Sequence, residues 1–136
     1  MSKAVSEEIY NEDELLATIV RPKKSESGLS FFTNDDAYIQ VGIWNYPKGK
    51  KLETHYHNTF SREAFKTNES VFVLKGKIKC NLYLENGEFV SSHIVNQGEM
   101  IVQFNGAHEY FIEEDAIVIE TKNGPYFGPE VDRTRI

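Results

Sequence analysis

The chain has 136 residues, of which 26% are charged, and carries a formal net charge of −6 at pH 7. This length is typical of a single domain with a buried core, and without a run of about 18 apolar residues there is no candidate transmembrane helix. We expect neither a membrane nor a nucleic-acid partner, because the lysines and arginines form no large basic cluster. The single cysteine, Cys80, has no partner for an internal disulfide, and no signal-peptide pattern begins the chain. Both features predict a cytoplasmic protein.

The beginning of the chain, residues 1–14, is polar and acidic, so we expect a flexible segment there. The first strand is predicted at 15–20, where apolar and β-branched residues run up to Arg21-Pro22. We assign residues 15–136 to one domain. Its tail, from about residue 123, is expected to be irregular because glycines and prolines recur there.

Alternating apolar residues predict several strands in the middle of the chain. The first long one covers 38–46, and the next covers 52–57 after a Pro-Lys-Gly turn. The polar stretch 58–68 is predicted to be a loop. A further strand begins at Glu69, with the valines two and four residues later on the same face as the glutamate.

Two Asn-Gly dipeptides, at 86–87 and 105–106, lie between alternating runs. They predict tight hairpins, because a type I′ turn needs positive φ at both central residues. Further strands are predicted around these turns, and the last covers 116–121. About ten short strands, with turn signals every ~8–12 residues and no convincing helix, indicate an all-β sandwich or barrel.

Three of the four histidines fall where predicted strands begin or end. His55 and His57 are two residues apart on a predicted strand and therefore point to the same face. His108 starts the strand that follows the second Asn-Gly turn. Imidazole together with carboxylate suits a divalent transition metal, namely Fe, Mn, Co, Ni, Cu or Zn, whereas Mg²⁺ and Ca²⁺ prefer oxygen ligands. A histidine pair by itself is more often a pair of exposed surface residues.

The spacing of these residues resembles the two motifs of the cupin superfamily. The residues that share the gaps of the first motif are Gly49, His55, His57, Glu69 and Gly76. In the second motif, His108 follows Gly106 one residue early, and Ile112 stands where the motif has asparagine.

The main departure from the cupin pattern is the interval of eleven residues between His57 and Glu69, where the family has three or four. An insertion in the loop 58–68 explains the interval most simply. Glu63 is the alternative carboxylate ligand, and a site of three histidines without a glutamate also stays open.

The resemblance covers residues 38–122 and implies an antiparallel jelly-roll barrel, that is, a double-stranded β-helix, often as a homodimer. It also implies a metal site inside one end of the barrel, formed by His55, His57, Glu69 and His108. The closing pattern at 119–126 further resembles single-domain cupins encoded among bacterial surface-polysaccharide genes.

Other side chains are expected to line the cavity of such a barrel. Tyr110 shares the side of His108 and is the candidate for hydrogen bonding to a ligand or for acid–base catalysis, although a packing role is more common. Gln40, Trp44 and Glu120 are the other candidates for substrate binding. The resemblance implies a metal-dependent enzyme that isomerises or epimerises a small polar molecule, such as a sugar or sugar nucleotide, or that oxygenates it. The alternative is a non-catalytic module that binds or senses a small ligand.

Overall fold

The structure of the chain is a computed structural model that describes residues 3–136, most of which lie in antiparallel β-sheet. The strands within these residues are β1 (Ser6–Asn11), β2 (Glu14–Val20), β3 (Gly28–Phe31), β4 (Gly42–Asn45), β5 (Glu69–Tyr83), β6 (Phe89–Asn96), β7 (Met100–Gln103) and β8 (Ala107–Lys122). A 3₁₀ turn at Pro22–Lys24 and the short helix α1 (Pro129–Asp132) are the helical elements described. Neither has the length and apolar character that crossing a membrane requires. The all-β prediction is confirmed.

The strands form one large sheet and one small one. The large sheet has the order β1-β2-β7-β5-β6, and β8 pairs with β5 outside this order. The small sheet is the antiparallel pair of β3 and β4. Residues 32–43 pack on one face of the large sheet, against Val20, Val102 and Phe104. Across residues 3–136 the strands do not close into a barrel, so the jelly-roll barrel stays a prediction.

The two longest strands, β5 and β8, form a ladder that folds back on itself. Glu69 at the start of β5 pairs with Lys122, and Leu82 near the end of β5 pairs with His108. A straight ladder would hold Glu69 and His108 about 40 Å apart, because each strand residue advances the chain by about 3.3 Å. In the structure their side chains are in contact. The ladder must therefore bend sharply between its two ends.

The bend lies at Gly76, in a stretch where the register of the ladder shifts between Val73 and Ile78. The inward-facing apolar residues of β5 have odd numbers before Gly76 and even numbers after it. This change of parity is what a bulge produces when it keeps one face of a strand turned inward. Gly76 has a φ of 88°, and a Cβ atom there would lie 2.2 Å from the carbonyl oxygen of Asp115. Only glycine fits where the two backbones approach so closely.

The larger core cluster includes the inward-facing residues of this ladder. Its buried members are Ile9, Leu16, Ala17, Ile19, Val71, Val73, Ile78, Cys80, Leu82, Val95 and Ile101. The predicted shared face of Glu69, Val71 and Val73 is confirmed, since all three are buried on alternate positions of β5. Removing each large apolar side chain from water contributes about 1.5–3 kcal/mol, so this cluster holds the bent ladder against β2 and β7.

Residues 1–14 were predicted to be flexible, but most of the described part of this segment belongs to the large sheet. Residues 6–11 form β1, which pairs with β2, and Ile9 is buried against the core. The guanidinium of Arg21 also holds this segment, because its Nη2 donates to Oε1 of Glu7 at 2.8 Å. Polar composition was misleading here, since one face of an edge strand remains in solvent. Residues 1 and 2 lie outside the described residues.

The middle of the chain departs most from the prediction. Only Gly42–Asn45 of the predicted strand 38–46 pairs with a neighbour, as β4. No part of 52–57 is a strand, because residues 47–66 lack both helix and strand and are exposed throughout. We call residues 47–66 the projecting segment. Alternation shows that a segment can pair, but a strand exists only where another backbone supplies the hydrogen bonds.

The two Asn-Gly dipeptides have different outcomes. Asn86-Gly87 turns β5 into β6, which pair antiparallel, so the hairpin is confirmed. Its turn is not of type I′, because Gly87 has a positive φ but Asn86 does not. Asn105-Gly106 does not form a hairpin, because β7 pairs with β2 and β5 whereas β8 pairs with β5. Gly106 is instead needed where the chain passes close to the end of β5, since a Cβ there would lie 2.6 Å from the carbonyl oxygen of Tyr83.

Replacing Gly76 by alanine is expected to destabilise the protein far more than the same change at Gly87. Both glycines have positive φ, but nothing lies within 4 Å of a Cβ placed at Gly87. We expect Gly87→Ala to cost about 1–2 kcal/mol for the backbone conformation alone, and Gly76→Ala at least ~3 kcal/mol because a backbone clash is added. Urea unfolding of both variants measures the difference. Equal losses at the two positions would contradict the assignment of the bend to Gly76.

Candidate functional site

The bend of the ladder brings Glu69 and His108 together at one end of its concave face. Nε2 of His108 lies 2.9 Å from Oε1 of Glu69, which is hydrogen-bonding distance. Glu69 is 8% exposed, whereas the side chain of His108 is about one-third exposed. The imidazole therefore stands between a buried carboxylate and solvent, where a ligand can reach it.

A second carboxyl group, that of Glu120, hydrogen bonds to Glu69 from the facing strand β8. Burial raises the pKa of Glu69, but hydrogen bonds with His108 and Glu120 and the charge of Lys122 outweigh burial and bring the pKa down to about 2. The hydrogen bond with Glu69 raises the pKa of Glu120, and burial adds to this rise. The two pKa values shift in opposite directions because two negative charges at such short range repel each other, so the second group ionises less readily than the first. The two carboxyl groups therefore lie side by side with opposite pKa shifts, that of Glu69 lowered and that of Glu120 raised.

An apolar pocket of about 290 Å³ lies beside these groups, with Glu120 in its wall. The other lining residues are Val71, Ile78, Tyr110, Ile112 and Val118. Ile112 is 59% exposed, so the pocket is open to solvent on the side of β8. A pocket with apolar walls and a few polar groups at one end is the usual form of a small-molecule site.

Tyr110 has its hydroxyl group inside the protein rather than free in the pocket. Nε2 of Gln103 donates to this hydroxyl at 3.0 Å and to Sγ of Cys80 at 3.3 Å. Burial raises the pKa of Tyr110 and also raises that of the Cys80 thiol, to about 12. Both groups stay protonated at neutral pH, so Tyr110 is suited to packing and hydrogen bonding rather than to releasing a proton.

The other two predicted metal ligands lie elsewhere, in the projecting segment. The rings of His55 and His57 are neighbours, with centroids 5.1 Å apart, and Nδ1 of His55 lies 3.0 Å from the carbonyl oxygen of Glu53. Both histidines and the alternative ligand Glu63 are exposed. Among residues 3–136, no group of three or more His, Cys, Asp or Glu side chains is arranged to hold a metal ion. One chain therefore presents two separate pairs of donors.

Gln40 and Trp44, predicted to bind substrate, do not line the pocket beside Glu120. Nε2 of Gln40 donates to the carbonyl oxygens of Asn34 and Ala37 and so fastens the loop before β4. The side chain of Gln40 borders a depression shared with Ser70, which points away from Glu69 because neighbouring strand residues alternate in direction. Trp44 is 68% exposed on the small sheet.

Two buried amides support the site and were not identified from the sequence. Asn68 is 3% exposed, and its side-chain and backbone hydrogen bonds tie the start of β5 to Tyr38, Phe104 and Asn123. Gln103 pairs with Glu69 across β5 and β7, and its Oε1 is buried without a hydrogen-bond partner in the described part of the chain. The polar residue at the end of an otherwise apolar strand was the one available signal for Gln103.

The chain was compared with protein-family models, with curated proteins and with solved structures, and none of them matches it. The proposed function therefore depends on the contacts of the described residues and on the motifs of the sequence. The contact that carries most weight is the one between Glu69 and His108, because it joins two residues that the motifs had placed in one site.

Glu120→Gln is expected to make the protein more stable at neutral and alkaline pH but not in acid. Because the fold raises the pKa of Glu120 above 4.5, the wild type loses stability as the pH rises and this carboxyl group ionises beside Glu69. Glutamine still donates a hydrogen bond and does not ionise. Urea unfolding at about pH 4 and about pH 8 measures the difference, which should grow with pH.

Glu109→Gln, on the same strand, is the matched control. Hydrogen bonds from Asn81 and Tyr83 lower the pKa of Glu109, so neutralising it should bring no gain in stability at high pH. A gain of equal size in both variants would show that general charge reduction, and not the pairing with Glu69, is the cause.

Proposed function

We propose that this chain is a metal-binding protein of the cytoplasm that isomerises or epimerises a small polar molecule next to a carbonyl group. The molecule is a sugar or a sugar nucleotide that enters the pocket beside Glu120. The observation that carries the proposal is the contact of Glu69 with His108, because Glu69 also hydrogen bonds with Glu120, which lines the pocket. The resemblance of the motifs to cupins, with their jelly-roll barrel, supports the same reading.

The types of donor support a divalent transition metal, since imidazole and carboxylate together suit Fe, Mn, Co, Ni, Cu or Zn. Their arrangement within one chain does not, because Glu69 and His108 form one pair and the exposed His55 and His57 form another. A single chain thus offers two donors at either place, too few for a site with three or four protein ligands.

The two carboxyl groups provide the acid–base chemistry that an isomerase or epimerase needs. Moving a proton next to a carbonyl requires one group that gives up a proton to the carbonyl oxygen and one that removes a proton from carbon. Glu120 lines the pocket and its pKa is raised by the hydrogen bond with Glu69, so it is the candidate proton donor. Glu69 with His108 is placed to accept. Tyr110, which forms a wall of the pocket, would orient the bound molecule.

The reaction is tested by solvent exchange in D₂O with a panel of keto sugars and nucleotide-linked keto sugars, each with Mn²⁺, Fe²⁺, Co²⁺, Ni²⁺, Cu²⁺ or Zn²⁺ added. We expect deuterium to enter next to the carbonyl group of at least one compound. Glu120→Gln should slow the exchange by about 10²–10⁴-fold, because glutamine has no proton to give. Glu109→Gln is the control and should exchange at the wild-type rate.

The alternative function, a non-catalytic binding or sensing module, predicts a different result. A compound of the panel would then bind, as measured by calorimetry, and Glu120→Gln would weaken binding without any exchange in the wild type. A panel that neither binds nor exchanges with any of the metals would overturn the proposal.

A further inference from the structure

β8 presents a long open edge. It pairs with β5 on one side, and within residues 3–136 no strand pairs with its other side. Four of its large apolar residues are at least half exposed; they are Phe111, Ile112, Ile117 and Ile119. An edge with free backbone N–H and C=O groups and exposed apolar side chains is a site at which another strand can add.

The projecting segment has the complementary properties. Its residues are exposed and unpaired, and its large apolar side chains include Tyr56, 85% exposed, and Phe60, 58% exposed. Its recorded contacts are local or lie at its base, where Lys66 contacts Asn105 and Phe65 packs on Tyr38. Between Lys50 and Phe65 its backbone belongs to no helix or strand of the described residues, so it can pair with the edge of a strand.

The charges of the two elements are opposite. β8 contains five acidic residues, of which Glu113, Glu114 and Asp115 are consecutive, and one lysine. The projecting segment contains five basic residues, of which Lys48, Lys50 and Lys51 precede the histidines, and two acidic ones. Charge of opposite sign favours the approach of this segment to the β8 edge and opposes pairing of two β8 edges with each other.

The donor pairs are complementary as well. The body of the chain carries Glu69 and His108 at the concave end of the bent ladder, and the segment carries His55 and His57 with neighbouring rings. On a strand, His55 and His57 would point to one face and Tyr56 to the other. A segment that pairs with β8 can therefore present both imidazoles to the pocket side at once.

We propose that two copies of the chain exchange their projecting segments. Residues 52–57 of one copy add to the free edge of β8 in the other, and each metal centre combines His55 and His57 of one copy with Glu69 and His108 of its partner. This inference rests on the proposed function, because it assigns the ligands of the same site. The segment leaves the β8 edge of its own chain uncovered in the structure, and we therefore assign that edge to the segment of a second copy.

The exchange is tested by complementation between two inactive chains. One carries His55→Ala and His57→Ala, the other carries Glu69→Gln and His108→Ala, and different affinity tags allow the mixed dimer to be isolated. If segments are exchanged, one of the two sites in the mixed dimer has all four ligands and the other has none. We expect it to bind Co²⁺ at about half the wild-type amount per chain, while each variant alone binds none tightly.

Closure of the segment on its own chain gives the opposite result, because both sites of the mixed dimer then lack half of their ligands. A mixed dimer that binds no Co²⁺, although the wild type binds one ion per chain, would overturn the exchange. A wild type that sediments as a monomer would overturn it too. Circular dichroism and urea unfolding of the two doubly substituted chains show whether each one is folded.

A second measurement does not depend on the metal and separates failure of the exchange from failure of the proposed function. The photoreactive residue p-benzoylphenylalanine replaces Tyr56, and isotopically light and heavy chains are unfolded, mixed and refolded before irradiation. We expect cross-links from position 56 to peptides of 107–122 that join a light to a heavy chain. The same residue in place of Phe127, which is 74% exposed in the tail, is the control and should give no such cross-links.

Cross-links within one chain alone would overturn the exchange whatever the metal content. If the mixed-isotope cross-links form but the wild type binds no Co²⁺ or other ion of the panel, the exchange holds and the metal part of the proposed function fails. If the protein binds metal but all cross-links stay within one chain, the metal part of the proposed function holds and the exchange fails.

Discussion

The structure depends on the sharp bend of the β5–β8 ladder at Gly76. Without it, the two ends of the ladder would lie about 40 Å apart, because a strand rises about 3.3 Å per residue. With it, one face of both strands turns inward, the core cluster forms in the concavity, and Glu69 meets His108. The bend requires a residue without a Cβ atom, since the carbonyl oxygen of Asp115 occupies the space that a Cβ would need.

Burial and pairing give the concave end its chemical character. Taking Glu69 out of water would by itself raise its pKa, but the hydrogen bonds with His108 and Glu120 outweigh burial and lower it. The pKa of Glu120, in turn, is raised because a second negative charge beside Glu69 is unfavourable. The same strand pairing that builds the core therefore sets the protonation of the site, and a change in the ladder would alter both.

Two surface features of the chain, the open edge of β8 and the projecting segment, are complementary. One edge of the acidic strand β8, with its exposed isoleucines, has no strand partner among the described residues, and the basic projecting segment exposes aromatic side chains. Both have backbone groups without a strand partner and exposed apolar side chains, and their charges are opposite. The division of the four candidate ligands follows the same line, since His55 and His57 belong to the segment and Glu69 and His108 to the body.

The sequence by itself determined the all-β class and the Asn86-Gly87 hairpin, because alternation and turn residues are local signals. That Glu69 and His108 belong to one site was implied only by the resemblance to cupins. It did not determine which segments find a strand partner. Residues 6–11 became a strand despite their polarity, whereas 52–57 alternates well and stays unpaired. Gln103 and Asn68 gained their roles only from neighbours distant in sequence. Pairing, burial and the pKa values of Glu69 and Glu120 depend on contacts between distant parts of the chain, and only the tertiary structure decides those.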